Sequence, residues 1–171
     1  MTPQEELAVR RELGQAMLEF VHWLGDNFRD EEDPVMRRVK TEHYRQAVAK
    51  AARRGIEVSL TWHTLAVWTE EGKDRIGSFS RALDCLRAEA AATPAPDPLK
   101  AWSQSHMKAD CLYEIGRIHA HEGAHEAARR FLEEALVLAR QADALREAAK
   151  LKPEQDLEGK VAALLLQLPD D

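Results

Sequence analysis

Aromatic residues are scarce in this chain, 6% of 171 positions, so its core has to be filled largely by Leu and Ala, a composition that suits helix packed on helix. Cysteine is scarcer still. Cys85 and Cys111 are the only two, too few for a disulfide framework or a metal knuckle. Each falls in a predicted helix beside leucine and is expected to be a reduced, structural small hydrophobe. No apolar run is long enough to cross a membrane, and the opening MTPQEELAVRRELGQ lacks the apolar stretch of a secretory signal, so a cytoplasmic protein is expected. No segment shows sustained alternation bounded by hairpin turns, which excludes a sheet. Ser78, Ser80, Ser103 and Ser105 lack a nucleophile-elbow context, and no glycine-rich phosphate loop exists. The paired acids Glu133 and Glu134 sit on a helix exterior with nothing to keep one protonated. An ordinary hydrolase or transferase has little support, and no catalytic, cofactor-binding or metal-binding residue is assigned.

Charge is plentiful but unevenly spread. The chain carries a net charge of -6, which opposes general nucleic-acid binding. Residues 34–54 nevertheless hold Arg37, Arg38, Lys40, Arg45, Lys50, Arg53 and Arg54 against Glu42 alone. Directly upstream, Asp30, Glu31, Glu32 and Asp33 form an acidic run. A solvated helix with an acidic entry explains this pattern, and a basic strip for an acidic partner is the sharper alternative.

Helical periodicity organises the rest. The spacing predicts a first helix over 3–25 with Thr2 as N-cap and Pro3 at its first position, burying Leu13, Ala16, Met17, Phe20 and Leu24. A loop follows Phe28, and Pro34 opens a second helix running to Arg54, where Gly55 stops it. A third helix is expected over 57–71 with Val58, Trp62 and Leu65 inward and Trp68 beside them, broken at Gly72. The fourth starts near Lys73 and buries Ile76, Phe79, Leu83, Leu86 and Ala90. The proline-rich segment 92–98 reads as an internal linker within one domain spanning 1–171. A long fifth helix over 99–121, a sixth over 124–141 that can extend to 150, and a last helix opened by Pro153 complete the chain. Leu157, Val161, Leu164, Leu165 and Leu168 face inward on the last. The four tryptophans are expected to pack.

The fifth and sixth helices carry the most specific pattern. Leu112, Ile115, Gly116 and His119 share one face, Gly123 marks the turn, and Ala128, Leu132 and Ala135 share the facing stripe. Small residues at 116, 128 and 135 let two antiparallel helices approach closely. In this order residues 109–142 resemble a tetratricopeptide repeat, a helix–turn–helix unit of 34 residues. His119 stands where the family has an aromatic, and Arg140 where it has a proline. Residues 57–90 give a weaker echo, with Gly72 at the turn and Gly77 intruding.

The resemblance implies an all-α fold of stacked antiparallel helical hairpins, a TPR-like right-handed superhelix, with a C-terminal capping helix. It also implies a non-catalytic interaction module, an adaptor, chaperone-like or regulatory factor, that binds a peptide or protein segment along a helical groove. Family members use the first helix of each pair, which points to Asp110, Tyr113, Arg117, Ala120 and His121. Arg37 and Arg38 are further candidates for an acidic protein partner. The set of Lys and Asn residues that some members use to grip a terminal carboxylate is not visible.

Two alternatives belong to other classes. A metal-dependent helical-bundle enzyme requires His22, His43, His63 and His119 to meet in one cavity. The run HEGAH at 121–125 matches the zinc-protease letters, but the glycine at its centre puts its histidines on different helices. A nucleic-acid-associated regulator would use the basic helix 34–54, whose cations lie all round rather than in one stripe. Neither a membrane partner nor a defined oligomeric state is indicated.

Overall fold

In the computed structural model, described for residues 1–27, 34–69, 72–93, 96–151 and 156–169, seven helices follow one another. They are α1 (Pro3–Asn27), α2 (Pro34–Ala52), α3 (Ser59–Trp68), α4 (Lys73–Ala92), α5 (Pro98–His121), α6 (His125–Ala148) and α7 (Leu157–Gln167). No strand occurs among the described residues, so the all-α expectation holds. The acidic run 30–33 and Pro153 lie outside the described residues.

Helix ends follow local chemistry. The Thr2 hydroxyl accepts from the Glu5 amide at 3.2 Å while the Glu5 carboxylate accepts from the Thr2 amide at 2.6 Å. This reciprocal capping box satisfies two donors that the first turn of α1 would otherwise leave unpaired. It also holds the Glu5 carboxyl below its ordinary value, chiefly through the Thr2 backbone bond. Asp97 caps α5 by accepting from the Lys100 amide at 3.0 Å, one residue before the Pro98 that opens the helix.

Termination of α5 is equally legible. Gly123 has φ 77°, the Gly123 amide donates to Ala120 O, and the Ala124 amide reaches back to His119 O. That pair of bonds is a Schellman turn, which needs left-handed backbone at the position Gly123 fills. Regular α2 stops at Ala52 rather than Arg54, and the same kind of turn then runs through Gly55 to Ile56. Helix α3 is shorter than the predicted 57–71. Val58 is extended before it, Thr69 is extended after it, and the Thr69 hydroxyl donates to Leu65 O at 2.8 Å. A β-branched residue whose side chain bonds the preceding turn ends the helix there.

Packing runs chiefly between consecutive helices, with α7 lying on α6 and also touching α5. Two apolar clusters result. One joins Val9, Leu13, Phe20 and Leu24 of α1 to Tyr44, Val48 and Ala51 of α2 and Leu65 of α3. Within it the Phe20 and Tyr44 rings stack at 4.9 Å, and the Tyr44 hydroxyl donates to Thr61 O at 3.1 Å. The second joins Ala66 of α3, Phe79 of α4, Leu112 and Ile115 of α5, Leu132 of α6 and Val161 of α7. Leu65 and Ala66 serve different clusters, so the short α3 bridges them.

The α5–α6 contact confirms the reason for small residues. A Cβ added to Gly116 would meet Leu132 Cγ at 2.8 Å and Ala128 O at 3.3 Å, and Ala128 and Ala135 are fully buried. Both cysteines are buried and free. Burial pushes the Cys85 thiol up to about 11 and raises Cys111 as well, which removes the thiolate that reactivity needs.

Candidate functional site

The candidate residues of α5 separate into two groups. Asp110 faces α3, where its carboxylate Oδ2 lies 2.7 Å from His63 Nε2. One turn on, Glu114 Oε2 accepts from Arg75 Nη2 of α4 at 3.1 Å, and from Arg117 Nη2 and Nε at 3.1 and 3.2 Å. Arg75 also lies over the Phe79 ring, 5.7 Å from its centroid. Tyr113 is half-buried against the core cluster, and its hydroxyl is raised above the ordinary value, first by that burial. Asp110 and Tyr113 are therefore engaged within the molecule, whereas the family resemblance points them toward a partner.

Arg117 and His121 lead elsewhere. Together with Ala120 they form one wall of a cleft of about 370 Å³ whose other residues are His125, Leu164, Gln167 and Leu168. Three helices make it: the last turns of α5, the first residue of α6 and the C-terminal half of α7. The Schellman turn at Gly123 reverses the chain and sets His125 near His121. One residue beyond Leu168, Pro169 O accepts from Arg129 of α6 at 2.7 Å.

The cleft lining contains three basic or imidazole side chains, three aliphatic ones and one amide, with no carboxylate. His125 Nδ1 is buried without a hydrogen-bond partner. The arrangement is chemically suited to holding an acid beside an aliphatic group. Leu164 and Leu168 were absent from the sequence candidates, because the α5–α7 contact that brings them to Arg117 leaves no local signal, whereas His125 follows the Gly123 turn and was read only within the HEGAH run.

His119 completes no metal set. Its ring stacks on Phe131 at 5.5 Å. His22 and His43 are exposed and His63 is paired with Asp110. Among the described residues, no group of three or more His, Cys, Asp or Glu side chains comes together as metal ligands would.

The basic helix α2 is drawn into the fold at several points. Arg37 lies over the Trp68 ring at 5.5 Å, Arg45 is 3.6 Å from Asp74, and Lys50 Nζ is 2.6 Å from Glu12. Arg38 is exposed. The structure thus separates Arg37 and Arg38 from the α5–α7 cleft.

Comparison of the chain with protein-family models, with curated proteins and with solved structures finds no match.

Proposed function

We propose that this chain is a non-catalytic interaction module, a TPR-like stack of helical hairpins that binds an acidic, aliphatic-containing protein segment in the cleft between α5 and α7. One observation supports the reading: His121, His125 and Arg117, the last already held by Glu114, line a hollow walled by Ala120, Leu164 and Leu168, with no acid among its lining residues. A carboxylate entering there gains charge-assisted hydrogen bonds, and the aliphatic wall takes the neighbouring side chain.

The close α5–α6 approach supports the repeat-like architecture, and so does the order of packing from each helix to the next. The two departures from the family pattern are compensated locally. His119 supplies a stacked ring. Arg140, standing in place of the family's proline, donates to Glu158 of α7 at 2.8 Å and helps hold the capping helix. Stacked hairpins with a covering last helix would present the cleft at one end of the inner surface.

Selection of random displayed peptides on the full chain tests the reading. The enriched sequences should combine Asp or Glu with Leu, Ile or Met. Their affinity should fall about tenfold or more when His121→Ala and His125→Ala are combined, the loss of one charge-assisted bond. Peptides without acidic bias, or binding indifferent to both substitutions, would remove the cleft from the account.

A further inference from the structure

The chain's own sequence places an acidic, aliphatic segment at the edge of the α5–α7 cleft. Leu168 is buried and lines that cleft. It stands just past the last turn of α7 in extended backbone, with φ -71° and ψ 138°. Pro169 follows, its carbonyl held by Arg129 at 2.7 Å. Asp170 and Asp171 come next in the sequence. The run from Leu168 to Asp171 thus joins an aliphatic residue to two acids, the chemistry proposed above for the ligand.

Geometry brings those acids within reach of the basic wall. Arg129 and His125 are four residues apart on α6, which makes them neighbours on one helix face. Helical side chains lean toward the N-terminus of their helix, so the Arg129 guanidinium that holds Pro169 O lies toward His125. Two extended residues beyond Pro169 reach about 7 Å, more than one helical turn. His121 is exposed and His125 half-buried. Charge points the same way: Arg117, His121 and His125 line the cleft, and no carboxylate does.

We infer that the segment from Leu168 to Asp171 is an internal occupant of the α5–α7 cleft, its two aspartates set against Arg117, His121 and His125 until an acidic partner segment displaces them. The inference rests on the cleft reading above and supplies the regulation of that same site. Leu168 stays in place as part of the wall, and the exchange concerns the aspartates alone. Carboxylates opposing partly solvated cations make a weak contact, one that a partner can replace. The apparent affinity for a partner is then lowered by the fraction of time the aspartates cover the cleft.

Amide spectra and peptide titration of the full-length double variant Asp170→Asn, Asp171→Asn test this. With no peptide present, the variant should shift the amides of Arg117, His121 and His125, which are remote from the substitutions in sequence. An acidic peptide from the display selection should bind it about threefold more tightly than wild type, or better, the factor for a cleft covered about two-thirds of the time. Glu133→Gln with Glu134→Gln changes the net charge equally at exposed positions of α6 and should do neither. Shift changes confined to residues 168–171 overturn the inference. So does equal affinity in variant and wild type, or a gain that the α6 control matches. A failed cleft looks different: the selection yields no acidic peptide, or neither chain binds one, and the inference falls with the reading.

Discussion

Leu132 Cγ lies 2.8 Å from where a Cβ on Gly116 would stand, so α5 and α6 meet at a distance that only glycine allows. Replacing Gly116 with Ala improves helix propensity by about 1 kcal/mol, while overpacking costs about 1–3 kcal/mol. The steric term should win, and the unfolding midpoint in urea should fall. Ala128→Leu, in the facing stripe, should also destabilise by about 1–3 kcal/mol. Combining Gly116→Ala with Leu132→Val should recover part of the loss, because the two sites share one contact. Strict additivity in the double variant would contradict the close approach.

Small residues at 116, 128 and 135 were legible because helix contact leaves a periodic mark along one chain segment. The turns at Gly55 and Gly123 were legible for a similar local reason. Pairing between distant segments leaves no such mark. Asp110 and His63 are 47 residues apart, and nothing in either helix announces which residue lies opposite. Asp110 and Tyr113 therefore read as groove-lining residues, whereas one lies within hydrogen-bond distance of His63 and the other packs on the core. The cleft was half visible for the same reason: Arg117 and His121 lie on α5, but its far wall comes from α7.

These pairings change what substitution on α5 should do. Tyr113→Ala removes half-buried aromatic area and should cost about 1–3 kcal/mol. Glu114→Ala should also destabilise, by bringing Arg75 and Arg117 together without the carboxylate that both now contact. Glu114→Gln should lose less than Glu114→Ala, since it keeps a shared acceptor. Thermal unfolding of the three variants checks the order.

Lys150 has φ 54° at the end of α6, where the Leu151 amide reaches Arg146 O. This is the same turn that glycine makes after α5, built here from a residue with a Cβ. Lys150→Gly should raise stability by about 0.5–1 kcal/mol. A lower midpoint would show that the Lys150 side chain contributes more than its backbone costs.

Deleting residues 156–171 should expose the α5–α6 surface that Leu157, Val161 and Leu168 now cover. Three buried aliphatic side chains are worth several kcal/mol at about 1.5–3 kcal/mol each. The truncated chain should unfold earlier and self-associate. Equal stability without association would deny α7 its covering role.

Alkaline pH offers a separate test. The folded-state pKa of Cys85 is raised from 9.0 to about 11, and burial raises Tyr44 and Cys111 in the same direction. Raised values mean that the stability these groups contribute is fully present below their unfolded pKa. It is lost as pH climbs toward the folded one. For Cys85 the loss should run from pH 9.0 to about 11. Cys85→Ala should flatten that part of the pH–stability curve relative to wild type.

The central claim is that the cleft between α5 and α7 receives an acidic, aliphatic-containing protein segment. Amide chemical-shift mapping of the full chain, titrated with a peptide from the display selection, addresses it most directly. The account predicts that the largest saturable shifts cluster at Arg117, Ala120, His121, His125, Leu164 and Leu168, and that they vanish in the His121→Ala, His125→Ala double variant. Shifts centred instead on Arg37 and Arg38 of α2, with the α5–α7 cleft silent, would contradict it.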